Sequence, residues 1–330
     1  MLTIETNLNK KYSEFWNWFE KNENKFYKIV EGNKMEKIEE EFFNPLSGKL
    51  SEIRNGYFYL TGMIDENTAE LIISAEGNIN NFVFVEELVK AAPDLPNWKF
   101  TALKPEMPMD GFAIDMNSYR FEKNNLYFYS NDDENYPDEI TLTLVHDDLT
   151  EANKGDISHG IYVFLDNFLG EFYFATTIDN IHFIEKSKAE KQLIPIEKLK
   201  SFLIWREKEF LQKYDTVSYD TGNDAYATMS ATLKSGLPLI AIVNTSLLDW
   251  PEKPSHSWIL SIEIGYDGSE NNGLPNKKDY ELLNEIEDEI MSYLIDTEGY
   301  LNVARETAEN IRTHYFACKV FRKSTKIKSS

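Results

Sequence analysis

A glutamate near the end of the chain lies where helical periodicity expects an apolar side chain. Residues 277–295 read as a helix, and at about 100° per residue Glu287 falls inside the sector occupied by Leu283 and Ile290. A carboxylate on a buried helix face needs a hydrogen-bonded partner, because without one it would be protonated. We therefore expect Glu287 to be paired with a cation.

Arg305 is the predicted partner. It follows Leu301 and Val303 at every second position of a predicted strand, so it points into the core if they do. We predict a Glu287–Arg305 ion pair and keep two interpretations open. One is a structural pair that fixes the helix on the sheet, the commoner role. The other is an anchor for a small anionic or amide ligand.

The predicted last strand carries a second group of polar side chains. Alternation places Arg312 and His314 on one face and Tyr315 on the other, so the three cannot converge for acid–base chemistry without a bulge. Packing and sheet-edge roles are therefore favoured. Arg312 and Tyr315 remain candidates for contacting a ligand or partner, as does Trp250, which lies in a proline-rich loop and is expected to be a loop anchor or an exposed contact.

Other motifs for chemistry are weak. The segment His146-Asp147-Asp148, with Asp156 and His159, fits no standard ligand spacing, and we predict no metal. Cys318 is the only cysteine and reads as a buried filler. Phosphate-binding loops and the G-x-S-x-G elbow are missing from the sequence. We therefore predict no cofactor, assign no catalytic residue and favour a protein without enzymatic activity.

The charge balance is strongly acidic, with a formal net charge of −22. This charge repels a phosphate backbone, so we expect no nucleic-acid partner, whereas a basic protein partner would be attracted. No stretch approaches the roughly 20 apolar residues of a spanning helix. We expect a cytoplasmic protein without membrane contact, and the oligomeric state stays open. The basic tail, Lys319–Ser330, reads mainly as a solvated terminus.

These residues must be positioned by a mixed α+β chain. Alternating strands open at residues 69, 139 and 258, and each is followed by a helical stretch and another strand. We predict three β-β-β-α-β units, described as tandem ferredoxin-like lobes with antiparallel sheets and helices packed on one face. Residues 1–192 would hold two units, 193–214 a helical connector and 215–330 the third unit.

Local sequence signals predict several helix ends and one further strand. Residues 12–30 are predicted to be a helix weakened near Asn22–Asn24, and the next helix is predicted to stop before Pro45. Asp156 or Ser158 is predicted to cap the helix that contains Ile161, Phe164 and Leu165. Gly170 is predicted to end that helix, and the segment EFYFATTI (171–178) is predicted to return as a strand.

The third unit carries a family resemblance. The motifs Gly236-Leu237-Pro238 and Gly273-Leu274-Pro275, with Asn244, Glu287-Asp288 and the late strand pair, resemble the bacterial domain of unknown function 695 over about residues 206–325. The resemblance implies a small ferredoxin-like α+β sheet and no activity. The N-terminal half resembles uncharacterised bacterial sequences, and the lobe design is similar, at fold level only, to the protein regulators of ribonuclease E activity.

Two functions follow from this sequence. The first is a non-enzymatic binding or regulatory protein that acts through acidic surfaces on a protein partner. The alternative is a small-molecule-binding protein or hydrolase-type enzyme with its site around Glu287, Arg305 and Arg312.

Overall fold

A computed structural model describes residues 2–328, with side chains from residue 7 to residue 327. The chain forms two compact units, Met1–Trp205 and Arg206–Ser330. Both combine helices with small sheets, so the predicted α+β class is confirmed. The division falls within a single helix, α7 (Leu199–Tyr214), which was predicted as the connector.

The N-terminal unit begins with helices. Helix α1 (Leu2–Glu31) is continuous, so the predicted weakening near Asn22 is wrong; the Asn22 amide donates to Trp18 O at 2.8 Å and leaves the helix intact. Helix α2 (Met35–Lys37) continues through a π-helical turn (Ile38–Phe43) into α3 (Asn44–Ile53). The predicted stop before Pro45 is also wrong: the chain stays helical, and Pro45 lies in the first turn of α3, directly after the π-helical turn, where a proline is tolerated.

The first sheet has the order β1-β2-β3. Its strands are β1 (Phe58–Met63), β2 (Ala69–Ser74) and β3 (Trp98–Ala102), and α4 (Ile79–Lys90) links β2 to β3. The Asn78 side chain caps α4 by accepting from Asn80 N. Strands β2 and β3 are parallel, as a helical crossover between neighbouring strands requires.

The second part of this unit holds a hairpin and a four-stranded sheet. The hairpin is β4 (Ala113–Met116) with β5 (Tyr119–Glu122). The sheet has the order β8-β7-β6-β9, formed by β6 (Leu126–Ser130), β7 (Thr141–His146), β8 (Asn180–Phe183) and β9 (Ile194–Pro195). Helix α5 (Lys154–Leu169) packs on it, with Phe164 and Leu165 fully buried.

Two predictions fail next to α5. Its N-cap is Asn153, not Asp156 or Ser158, which lie inside the helix. Residues predicted as a strand form α6 (Glu171–Thr177) instead, and the returning strand is β8. The cause is a long-range contact: the buried Glu171 carboxylate accepts hydrogen bonds from Ala75 N, Gly77 N and Lys104 N, at 2.8, 3.0 and 2.9 Å.

The C-terminal unit is built on a five-stranded antiparallel sheet of order β10-β11-β13-β14-β12. The strands are β10 (Tyr226–Thr232), β11 (Pro238–Asn244), β12 (Trp258–Gly265), β13 (Tyr300–Ala308) and β14 (Ile311–Cys318). Strands β12 and β13 both flank β14, so α8 (Lys277–Tyr293) crosses one face of the sheet to join them. Asn276 caps α8 by accepting from Asp279 N at 3.0 Å.

The core of this unit lies between the sheet and its helices. Leu260, Phe316 and Cys318 point to the α8 side, where Ile290 and Leu294 meet them. A short helix, α9 (Phe321–Lys328), follows β14, and Phe321 is buried against Trp258 with ring centroids 4.8 Å apart. The basic tail is therefore packed through Ile327 instead of being solvated, which corrects the prediction; residues 329 and 330 lie outside the described part.

The specific prediction of three ferredoxin-like β-β-β-α-β units is not confirmed. Two of the three N-terminal sheets contain the parallel pairs β2–β3 and β7–β8, so the predicted antiparallel arrangement holds for the C-terminal sheet and for the β4–β5 hairpin. What the three segments share is smaller, a strand, a helical crossover and a strand. Short 3-10 turns complete the chain at Lys186–Lys188, Ile196–Lys198, Thr221–Asn223, Lys253–Ser255, Ser269–Asn271 and Asp296–Glu298.

Candidate functional site

Two arginines and a histidine lie side by side on the α8 face of the C-terminal sheet. Arg305 on β13 is paired with His314 on β14, and the next pair on the same face is Thr307 with Arg312. Residues two apart on a strand share a face, so this pairing sets the four side chains in a compact square. The antiparallel hairpin β13–β14 thus concentrates cationic groups in one place.

Helix α8 places complementary groups above this square. Tyr280, Asn284 and Glu287 are spaced by four and three residues and therefore occupy one face of the helix. The Asn284 Oδ1 atom accepts from Arg312 Nη1 at 3.0 Å, and the Tyr280 ring centre lies 5.2 Å from the Arg312 guanidinium carbon. The helix supplies one carboxylate, one amide and one aromatic ring to two guanidinium groups.

The predicted Glu287–Arg305 pair is present. Arg305 Nη1 donates to Glu287 Oε2, and both side chains are about one-fifth exposed. The strand faces around Arg305 differ from those predicted. A β-bulge between Asn302 and Ala304 shifts the alternation, so Leu301 and Val303 face the opposite side from Arg305. The arginine reaches the helix because of the bulge, not because it continues a regular apolar row.

Arg312 is the most deeply buried cation of the group, with 2% of its surface exposed. Its Nε donates to Thr307 Oγ1 at 3.2 Å, and its Nη1 lies 3.9 Å from Glu287 Oε2. Burial and the neighbouring Arg305 lower the pKa of Arg312 from its usual value, although an arginine stays protonated at neutral pH. Its neutral partners and a single distant carboxylate leave its charge incompletely balanced.

His314 lies beneath the ion pair and is fully buried. Its Nδ1 is 3.8 Å from Glu287 Oε1, and neither ring nitrogen has a hydrogen-bond partner among residues 7–327. Burial lowers the pKa of His314 to about 4, with Arg312 and Arg305 acting in the same direction. The ring is therefore neutral at physiological pH and adds no charge to the site.

An open cleft of about 300 Å³ lies beside these groups. Arg305, Thr307 and Arg312 line its polar part. The remaining wall is mostly apolar and aromatic: Ile240, Ile242, Leu274, Pro275 and Tyr280, with Asn271 at one side. Within the described residues, Glu287 is the only carboxylate within 4.0 Å of either arginine. Two cations thus face one anion at the wall of a cleft.

The other predicted site residues are not part of this cluster. Tyr315 points to the opposite face, as alternation predicted, where its hydroxyl donates to Glu306 Oε1 at 2.7 Å. Trp250 lies in the loop between β11 and β12 and packs on Tyr219 and His256, with ring centroids 4.6 and 5.5 Å apart. Its surroundings match the loop-anchor interpretation, while a role in binding stays a prediction.

The residues considered for metal and thiol chemistry have structural partners. Asp148 N donates to His146 Nδ1 at 3.1 Å, which leaves the Nε2 proton for Arg120 O at 2.9 Å. No three histidine, cysteine, aspartate or glutamate side chains in the described part of the chain are arranged to hold a metal. Burial raises the pKa of the Cys318 thiol to about 12, as expected of a packed and unreactive side chain.

Sequence reasoning missed three members of the cluster: Tyr280, Asn284 and Thr307. The two helix residues lie seven and three positions before Glu287, so the same periodicity that located Glu287 would have found them. Thr307 has the same strand parity as Arg305, and the contact of its hydroxyl with Arg312 was not predicted. The bulge that turns Arg305 toward the helix has no comparable signal in the sequence.

The sheet, its crossover helix and the guanidinium cluster define a small α+β module in the C-terminal unit. Residues 231–327 match the model of a family of unknown function (DUF695), which confirms the resemblance predicted for this part of the chain. The matched segment includes Glu287, Arg305 and Arg312. Neither a curated protein nor a solved structure matches the chain. Between residues 2 and 328, the structure has no helix that is both long and apolar enough to cross a bilayer.

Proposed function

We propose that the C-terminal unit binds a small organic anion in the cleft beside Arg305 and Arg312. The observation that carries the proposal is the charge of the cluster: two guanidinium groups share one carboxylate, and both line the same cleft. Arginine is suited to this task because its planar donors match the two oxygens of a carboxylate or phosphate. An anionic ligand would neutralise the positive charge that Glu287 alone leaves unbalanced.

The composition of the wall narrows the chemical class of the ligand. Beyond the arginines the cleft is lined by isoleucine, leucine, proline and tyrosine side chains, which favour an apolar body over a sugar. At about 300 Å³, the cleft is at the lower end of common ligand sites. A compact carboxylate or phosphate ester with an apolar or aromatic substituent fits these limits.

Binding without catalysis is the form of the proposal that the cleft supports. Its aliphatic hydroxyl, on Thr307, accepts a hydrogen bond from the positively charged Arg312, which is a donor and cannot act as a general base. His314, the nearest imidazole, is buried beneath the arginines. The groups that reach the cleft can orient and neutralise an anion, which is the work of a binding or regulatory module.

The test is a titration of the full-length protein with malonate, benzoate and inorganic phosphate at constant ionic strength. Arg305→Gln should weaken binding of the preferred anion at least tenfold, since one charge-assisted contact is lost. Lys277→Gln is the matched control because it removes an exposed cation near the start of α8. Equal losses in the two variants would mean that only long-range charge is being measured, and the proposal would fail.

A second candidate is supported by a different observation. Strand β10 is the edge of the C-terminal sheet, and Tyr226 and Met229 on it are about half exposed. An exposed edge with apolar side chains can accept a strand from another protein, and the net charge of −22 would attract a basic one. We propose this as the acidic-surface function. Recovery of the same partner at low and high salt would argue against electrostatic attraction.

Both functions are consistent with a cytoplasmic protein. The single cysteine cannot form an internal disulfide, as suits a reducing compartment. The ferredoxin-like description of the lobes and the relationship of the N-terminal half to other bacterial sequences stay predictions. The cytoplasmic location would be tested with a fluorescent fusion, after checking that the fusion keeps the native melting temperature.

A further inference from the structure

The face of the C-terminal sheet opposite α8 carries a separate pocket of about 240 Å³. Its floor is formed by Ile259, Leu301 and Ala317, which are aligned across strands β12, β13 and β14. The loop between β11 and β12 folds over this floor and contributes Trp250 and Lys253. The pocket therefore belongs to the same unit as the arginine cleft but shares no lining residue with it.

The walls of this pocket are fixed by the fold. Because the bulge in β13 shifts the alternation, Val303 and Leu301 both turn toward the loop side of the sheet. Trp250 is held in place by Tyr219 on one side and His256 on the other. The bulge and the anchored loop thus form an apolar cavity that exists before any ligand arrives.

Two large apolar side chains at this pocket are open to solvent. Ile259 on β12 is 67% exposed, and Leu248 in the covering loop is 56% exposed. Single exposed apolar residues are ordinary on a protein surface, but here two of them border a concave surface whose other walls are also apolar. A ligand with a hydrocarbon body would remove this apolar surface from water.

Lys253 brings a positive charge to the apolar lining. Its Nζ donates to Leu248 O at 2.7 Å, which holds the ammonium beside the pocket while the side chain itself remains exposed. An ammonium group has more donors than this single contact uses, so the others stay available to a ligand. Among residues 7–327, no carboxylate forms an ion pair with Lys253. The pocket therefore has a positioned and accessible cation that lacks a counterion.

We propose that this pocket is a second ligand site, which takes an alkyl monocarboxylate. The hydrocarbon chain lies against Leu301, Val303 and Ala317 under the loop, and the carboxylate contacts the Lys253 ammonium. A monoanion is favoured over a dianion because a single ammonium supplies the positive charge, while the chain as a whole is acidic. A cavity of roughly 150 Å³ holds a benzene ring, so the larger volume here admits the six carbons of hexanoate.

The experiment compares hexanoate, 1-hexanol and hexylamine on the full-length protein at constant ionic strength. The three have similar hydrocarbon chains and differ in the charge of the head group. Hexanoate should bind about fivefold more tightly than hexanol, the ratio expected for a partly exposed ion pair, and hexylammonium should bind most weakly. Acetate has the same charge as hexanoate but no chain, so it should not bind at the same concentration.

Binding is followed by the indole N–H signals of Trp250 and Trp258 in a two-dimensional NMR titration. Trp250 lines the pocket and should shift with hexanoate. Trp258 packs on Phe321, away from the pocket, so its signal serves as an internal control.

Two charge reversals separate the Lys253 contact from the general charge of the unit. Lys253→Glu should invert the order, so that hexylammonium binds more tightly than hexanoate. An unchanged hexanol affinity shows that the pocket of this variant is intact. If the hexanol affinity changes, Lys253→Gln replaces this variant, and hexanoate and hexanol should then bind equally.

Lys234→Glu is the matched control. It makes the same change at an exposed lysine of the same unit, in the turn before β11. The pocket residue Asn244 lies at the other end of that strand, about 20 Å away for a strand of this length. The order of the three ligands should therefore stay as in the wild type.

The proposal is overturned if hexanoate and hexanol bind the wild-type protein equally, if Lys253→Glu keeps the wild-type order, or if Lys234→Glu inverts it. It is also overturned if acetate shifts Trp250 as hexanoate does, or if none of the compounds shifts it. Hexanoate that shifts the Nε–H signals of Arg305 and Arg312 but not Trp250 would occupy the arginine cleft instead. That result would overturn this proposal and leave the first one standing.

Discussion

Replacing Glu287 with glutamine should lower stability and raise anion affinity at the same time. Glutamine keeps an oxygen acceptor for Arg305 but removes the charge that partly neutralises both arginines. A bound anion and the Glu287 carboxylate would sit on either side of a guanidinium group, roughly 5 Å apart. Repulsion at that distance, in a cleft between water and protein in polarity, is about 1–2 kcal/mol. Its removal should tighten binding by about five- to thirtyfold.

The same change should cost stability because Arg312 is left buried with neutral partners only. Loss of the Glu287 charge should lower the free energy of unfolding by about 2 kcal/mol. The loss is limited because Arg305 can still donate a hydrogen bond to the neutral glutamine. Hydrogen exchange of the β13 and β14 amides measures this quantity in the unit concerned. The anion affinity is measured by calorimetric titration with malonate.

Asp288→Asn is the matched control for this prediction. It removes the same charge from the neighbouring residue, which is exposed on the solvent side of α8. Its effect on both measurements should be small, because screened surface charges contribute little. If Glu287→Gln weakened anion binding, or if Asp288→Asn strengthened it equally, the idea that Glu287 competes with a ligand for the arginines would be refuted.

Four further predictions concern individual side chains. His314 and His256 have pKa values lowered to about 4, so the unfolded state binds their protons first and stability falls with pH below about 6.5. Each histidine should lower the free energy of unfolding by about 2 kcal/mol between roughly pH 7 and 5, so the two together should lower it by about 4 kcal/mol. In urea unfolding, His256→Phe should show only the loss of about 2 kcal/mol that is due to His314. Cys318 should resist thiol reagents in the folded protein and react on unfolding, as absorbance with a disulfide reagent would report. Phe321→Ala should destabilise the C-terminal unit by about 3 kcal/mol in hydrogen exchange, whereas a solvated tail would give no change. Glu171→Ala should lower the free energy of unfolding of the N-terminal unit by about 3 kcal/mol in urea, because three backbone N–H groups lose their acceptor.

The sequence predicts what local periodicity controls. Helix α8 and the strands that flank it follow from apolar spacing, and the unusual position of Glu287 was visible as a carboxylate in the apolar sector. The Arg305 partner followed as well, through an alternation that the bulge in fact breaks. Such a pattern is a reliable guide to which residues need a partner. It is a less reliable guide to which face of the sheet a residue lies on.

The failures have a common physical origin in long-range contacts. Residues 171–177 are rich in aromatic and β-branched side chains, as strands are, but Glu171 is fixed by backbone groups far away in the sequence and starts a helix. The tail is basic and reads as solvated, but Phe321 finds Trp258 on β12. The bulge that turns Arg305 toward α8 forms only where β13 pairs with β14 in the folded sheet. Such contacts override local propensity and cannot be read from it.

If Arg305 and Arg312 bind one small anion together, as proposed, the side chains of both must respond to the same binding event. Side-chain NMR of the arginine Nε–H groups during titration with malonate tests it most directly. The signals of Arg305 and Arg312 should shift together with a single dissociation constant, while that of the exposed Arg120 should not follow. Absence of a shift at Arg305 and Arg312, or the same gradual drift at all three arginines, would contradict it.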